Sequence, residues 1–69
     1  MREGAPTIEI FATYISETAM AILINDGNEE DTWVPKSQLV MDEIPDEMEA
    51  GEEYNFIMSE WIATEKGLI

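Results

Sequence analysis

Apolar and polar positions along this chain fall into short alternating runs, closed by one helical signature. Residues 7–15 alternate with a period of two, which sets Ile8, Ile10, Ala12 and Tyr14 on one face and Glu9, Phe11 and Thr13 on the other. That pattern predicts a first strand with one apolar face and one partly buried face, after a short mobile lead over residues 1–6. Residues 19–24 are apolar on both faces, as expected of a central strand covered on two sides. Between them Ser16, Glu17 and Thr18 read as a polar break and a tight turn. A rival reading makes Ser16 the cap of a helix over residues 17–23. Ile22, Leu23 and Ile24, followed by a turn signal, favour the strand.

Residues 20–39 are the stretch around which the rest is organised. Asn25, Asp26 and Gly27 form a short-range hairpin signal, because Gly27 accepts a positive φ without steric cost. Trp33 and Val34 supply a large anchor and a β-branched residue for the returning strand, and Pro35 should end its pairing. Lys36, Ser37 and Gln38 then predict a short turn or a single 3₁₀ turn, and residues 39–41 resume as a strand. Ile44-Pro45 forces an extended or turning dipeptide, followed over residues 45–50 by one helical turn or a loop. Residues 54–58 read as a strand with Tyr54, Phe56 and Met58 on one face. Ser59 is a natural cap for a final helix, with Glu60 at its positive end, Lys66 at its negative end and Gly67 at the left-handed position beyond it. Leu68 can then fold back on Ala63, and Trp61, Ile62 and Leu68 are the residues this helix should bury. The predicted architecture is a single domain over residues 1–69, mostly β (α+β): a small curled antiparallel sheet or SH3/OB-like barrel of about five strands with one short C-terminal helix. Trp33 and Trp61 are expected in the core. Lys36 should lay its stem along Trp33 and meet a carboxylate, while Ser37 and Gln38 satisfy backbone groups left open by Pro35.

Charge changes this picture more than any other compositional fact. Sixteen Asp and Glu stand against three Lys and Arg, a formal charge of −13. High net charge can defeat collapse, but 45% hydrophobic residues in alternating runs argue for a folded chain, leaving residues 42–53 as the segment where disorder has most claim. The charge disfavours direct contact with nucleic acid or an anionic membrane, since phosphate contacts need Lys or Arg, and it favours a basic partner. No apolar run reaches the roughly 18 residues of a membrane span, and Met1-Arg2-Glu3-Gly4 does not open a signal peptide, so the expected setting is the cytosol.

Cysteine and histidine are both absent, which excludes disulfides and the usual nucleophilic triads and makes a zinc site improbable. A glycosidase pair of carboxylates needs a cleft that a chain of this size rarely forms. Residues 26–31 invite a calcium reading, yet Asp31 stands where the loop needs its internal Gly and Ser37 where it needs the closing Glu. Lys36-Ser37 has no glycine-rich lead-in for a phosphate loop. The chain is therefore expected not to be an enzyme and to need no cofactor or metal.

Three stretches carry a resemblance: Glu17-Thr18-Ala19-Met20-Ala21-Ile22-Leu23-Ile24, then Trp33-Val34-Pro35-Lys36-Ser37-Gln38, then Glu60-Trp61-Ile62-Ala63 with Lys66-Gly67-Leu68. Together they cover about half the chain and resemble small proteins of bacteriophages and prophages, which carry a Trp-(Val/Ile/Leu)-Pro-Lys-Ser core and end in a Trp-Leu-Ala-x-x-x-Gly-Leu helix. That family has no settled activity, so the resemblance implies a phage origin and a host-cell cytoplasm rather than a chemistry. The acidic connection over residues 41–53 departs from the pattern, being longer and more charged.

Asp42, Glu43, Asp46, Glu47, Glu49, Glu52 and Glu53 place seven carboxylates in twelve residues. Drawn out at about 3.3 Å per residue, that is roughly one charge every 6 Å. Duplex DNA carries one phosphate per roughly 3.4 Å on each strand, so a Lys/Arg groove built for DNA could accept such a row. Asp26, Glu29, Glu30 and Asp31 form a second patch that could extend it. The sequence therefore points to an acidic phage-encoded inhibitor that mimics DNA and blocks the nucleic-acid site of a host defence effector, of the anti-CRISPR type. The bland alternative is a solvated surface that keeps a small protein soluble. A further alternative is a structural module docking through an aromatic patch around Trp33, Tyr54 and Trp61, as a homodimer or on a partner.

Overall fold

The computed structural model describes residues 6–69; the mobile lead expected over residues 1–6 lies almost wholly outside the described residues. Four antiparallel strands, β1 (Thr7–Glu17), β2 (Ala21–Asn25), β3 (Thr32–Pro35) and β4 (Glu53–Ser59), make one curled, unclosed sheet in the order β3-β2-β1-β4. Among the described residues a single α-helix, α1 (Glu60–Glu65), follows β4 directly. The fold is mostly β and takes the curled-sheet form of the two expected, with four strands among the described residues where about five were expected, and it does not close into the alternative barrel. The segment expected as a strand over residues 39–41 makes only a single bridge, Leu39 to Met58, before turning into 3₁₀ geometry at Met41–Glu43. Ile44-Pro45 and the residues after it form a loop.

The period-two pattern sorts the core. Ile10, Ala12 and Tyr14 from β1, Ile22 and Ile24 from β2, Val34 from β3, and Phe56 and Met58 from β4 all point to one face. Ile62 and Ala63 of α1, with Leu39 and Ile44, cover that face, and Ile8, Met48, Tyr54 and Leu68 pack around it. Among the described residues no polar or charged residue is buried. Tyr54 sits edge-on to both Tyr14 (6.5 Å, 83°) and Phe56 (6.4 Å, 81°), the arrangement that ring quadrupoles favour.

β1 runs two residues beyond its predicted end, through the stretch read as a break or a helix cap. A β-bulge makes this possible: Tyr14 pairs with Ile24, but Ser16, not Ile15, pairs with Leu23, and Glu17 with Ile22. The extra residue reverses the alternation, so Glu17 turns to the core side instead of following Phe11 and Thr13. There its carboxylate accepts from the Tyr14 hydroxyl (2.9 Å) and from Lys36 Nζ (2.7 Å). The Lys36 bond, then the Tyr14 bond, hold the Glu17 carboxyl below its ordinary range, and the bond to Glu17 raises the Tyr14 hydroxyl above its own. Lys36 thus meets a carboxylate as expected. The chain turns after Glu17 at Thr18, whose Oγ1 accepts from the Met20 and Ala21 amides at 3.3 and 3.2 Å.

β3 is short for a reason visible at its end. The Lys36 amide donates inward to the Met20 carbonyl (2.8 Å), so by alternation the Pro35 nitrogen faces outward, where its missing N–H costs no ladder bond. Lys36–Gln38 is the 3₁₀ turn that the sequence suggests. Gln38 does not serve the backbone near Pro35, contrary to expectation. Its Oε1 accepts from the Ser59 hydroxyl (2.8 Å), which also accepts from the Ile62 amide (3.2 Å) and so caps α1. Ser37 is exposed. At the other end Gly67 takes φ 74° and the Leu68 amide reaches the Ala63 carbonyl (2.8 Å), the return predicted for it.

Two expectations about burial fail together. Trp33 is 44% exposed and Trp61 62% exposed. Val34 and Trp33 occupy opposite faces of one strand, and register with Ile22 gives the core place to Val34 while Trp33 pairs with Leu23 on the uncovered face. In α1, Ile62 and Ala63 occupy the narrow buried stripe of a six-residue helix, and Trp61 lies about 150° from the middle of that stripe.

Candidate partner-binding surface

The acidic residues singled out in the sequence lie in two segments. Asp26, Glu29, Glu30 and Asp31 form the tip between β2 and β3; Asp42 and Glu43 lie in the second 3₁₀ turn; Asp46, Glu47 and Glu49 lie in the loop that follows; Glu52 and Glu53 lead into β4. All are exposed except Asp26, which is half-buried. Their local order comes from neutral partners. Asn25 Nδ2 donates to the Asn28 carbonyl (2.9 Å) and to Asp31 Oδ1 (3.0 Å), while its Oδ1 accepts from the Gly27 amide (2.8 Å). Asn28 Nδ2 donates to Asp26 Oδ1 (2.9 Å). Gly27, at φ 105°, supplies the reversal, although the tip spans residues 26–31 rather than a two-residue turn. In the other segment the Glu49 amide donates to the Tyr54 hydroxyl (2.9 Å), and the turn exchanges bonds with Tyr14: its amide donates to the Glu52 carbonyl and its carbonyl accepts from the Gly51 amide, both at 2.8 Å.

Register relates the two segments. Thr13 pairs with Asn25 on one side and with Glu53 on the other, so the segments meet β1 at the same level across a gap of about 10 Å, two strand spacings. From that level they diverge. The tip leaves β2 toward the Thr7 end of β1, and residues 49–52 approach from the Glu17 end. The tip and residues 49–52 therefore lie toward opposite ends of β1, while Asp42 and Glu43 follow the Leu39–Met58 bridge at the outer edge of β4, so the eleven carboxylates do not form one continuous string. Among the described residues the ion pair between Lys36 and Glu17 is the only one, and it involves none of the eleven. Nor do any three carboxylates among those residues gather closely enough to hold a metal ion.

Between the two acidic segments lies the sheet face turned away from α1. It bears Phe11 (59% exposed) and Trp33, with Ile15, Leu23 and Ile57 half-buried between and beside them. Sequence alternation places Phe11 there; Trp33 was expected in the core, and the signal that could have assigned it is the β-branched residue beside it. β2 is accordingly central in the sheet but covered on one face only. Trp33 and Tyr54 project from opposite faces of the sheet, so the three aromatics grouped in the sequence reading do not form one patch.

No helix among the described residues is long and apolar enough to cross a membrane. The chain matches no family model, no curated protein and no solved structure.

Proposed function

We propose that this chain is a non-enzymatic inhibitor of phage origin, acting in the host cytoplasm, whose acidic surface mimics DNA and occupies the nucleic-acid site of a host defence effector of the CRISPR type. The observation that carries the reading is the set of eleven carboxylates at Asp26, Glu29, Glu30, Asp31, Asp42, Glu43, Asp46, Glu47, Glu49, Glu52 and Glu53, all exposed but Asp26 and free of ion pairs among the described residues, with Asp26 and Asp31 held by neutral amide donors. A Lys/Arg groove meeting them would displace water and counterions rather than internal cations. The long axis of the molecule, 33 Å, is close to one turn of duplex, roughly 34 Å. The mechanism is competition, with electrostatic steering giving a fast and salt-sensitive association. No cofactor enters it.

The test is charge reversal to Lys at Glu47, Glu49, Glu52 and Glu53 together, with inhibition of DNA binding by a CRISPR effector complex as the readout. Inhibition should vanish while the fold remains, and inhibition by the natural chain should weaken as salt rises. Inhibition that survives the reversal, or that ignores salt, refutes mimicry. A second reading, a structural module that docks or dimerises through aromatics, draws on the exposure of Trp33 and Trp61. It predicts that alanine at those positions disrupts assembly and that charge reversal does not.

A further inference from the structure

We propose that the sheet face turned away from α1 is the docking surface for a basic protein partner, and that it receives an apolar patch bearing arginine side chains rather than a second copy of this chain. The proposal rests on the binding reading above and names the surface and chemistry that reading leaves open. Phe11 and Trp33 are the two large rings on this face, and each leaves about half its area in water without contributing to the core. Exposed apolar area of this kind, ringed by polar groups, marks interaction sites.

Among the polar groups around the two rings, which include the neutral Thr13, Asn25 and Asn55, the charged ones are acidic. Glu9 pairs with Ile57 on this face and precedes Phe11 by two residues, about 7 Å along the strand. Glu53 pairs with Thr13 on the same face. Asp31 precedes Trp33 by two residues, and Asn25, which shares the face through its pairing with Thr13, holds the Asp31 carboxylate at 3.0 Å. Each ring therefore has a carboxylate about one pleat repeat away. A guanidinium suits this spacing better than an ammonium: its plane stacks on the ring while its edge donates to the carboxylate. Charge excludes the competing occupants. A second copy would set a chain of −13 against its like, and phosphates would meet carboxylates. Strand addition is disfavoured as well, because β3 is four residues long and ends in Pro35, and the outer edge of β4 is partly taken by Leu39 and Val40.

The experiment titrates the full chain by calorimetry with a synthetic peptide alternating Arg and Leu, and with the same peptide carrying Lys for Arg. The Arg peptide should bind, the Lys peptide more weakly, and Phe11→Ser with Trp33→Ser should weaken the Arg peptide by about tenfold or more, as loss of two stacked cation–ring contacts implies. Should the Ser pair fail to fold, Phe11→Leu with Trp33→Leu keeps apolar area, removes the rings and must show the same loss. Unchanged binding in a folded ring-less variant overturns the proposal. If the four-residue charge reversal still abolishes binding in that case, the reading of an acidic surface on a basic partner survives alone; if it does not, both fall. A concentration-dependent dimer of the natural chain that the ring-less variant abolishes would assign the face to a second copy and overturn the proposal.

Discussion

Replacing Ser59 by Ala removes one hydroxyl that joins three parts of the fold. Its oxygen accepts from the Ile62 amide, capping α1, and its proton goes to Gln38 in the 3₁₀ turn after β3. Loss of a Ser cap costs about 1 kcal/mol. Loss of the neutral bond to Gln38 costs about 1 kcal/mol more, less whatever water restores. For 69 residues the whole folding free energy is about 3–10 kcal/mol, so Ser59→Ala should remove a sizeable share of it. At about 4–8 °C per kcal/mol for a domain of this size, Tm should fall by about 5–15 °C. Ser59→Thr, which keeps the oxygen, should recover most of the loss. The assay is thermal and urea unfolding by far-UV circular dichroism on Ser59→Ala, Gln38→Ala and the double variant. The cycle should return a coupling of about 0.5–1 kcal/mol between the two side chains. Additive single effects, or a Ser59→Ala loss within about 0.3 kcal/mol of zero, would show that the bridge contributes nothing to holding the helix on the sheet.

Glu17→Gln tests the clamp created by the bulge. The folded carboxyl lies below its ordinary 4.5, so its stabilisation is full above that value and is lost as pH falls through the lower folded value. The stability gap between natural chain and variant, under about 1 kcal/mol for a pair this exposed, should be present at pH 7 and close in acid; a gap that widens in acid refutes the assignment. Added salt should raise Tm of the natural chain by screening a net −13, and a melting curve indifferent to salt would show carboxylates too far apart to repel. Gly67→Ala should cost about 1 kcal/mol in the same melts, because Gly67 holds φ 74° at the end of α1. In fluorescence, acrylamide should quench both tryptophans of the native chain, and a shielded Trp61 would contradict its 62% exposure.

Local signals were legible where one residue type determines the outcome. Ser59, Gly67 and Leu68 define both ends of α1, Asn25 and Gly27 define the reversal after β2, and alternation identifies the core residues of β1 and β4. Longer-range choices were not. Whether Trp33 or Val34 faces the core depends on register with β2, and residue size alone favours the wrong one. The bulge at Ile15 and Ser16 leaves no mark in composition, so the strand appeared to end before Glu17. Residues 39–41 have strand-like composition, but 3₁₀ geometry begins after a single bridge to Met58. For the acidic surface, the residues were readable and their arrangement was not: the divergence of the tip and residues 49–52 toward opposite ends of β1 follows from the offset between β2 and β4, which only pairing reveals.

The proline at the rim of β3 acquires a different importance in acid. Near the isoelectric point, about 4.1, mutual repulsion no longer keeps molecules apart, and an open sheet becomes a template for its neighbours. At the β3 border what then remains against fibre growth is geometric: a four-residue strand whose last nitrogen carries no hydrogen to share. At that border Pro35 is a safeguard that does not titrate.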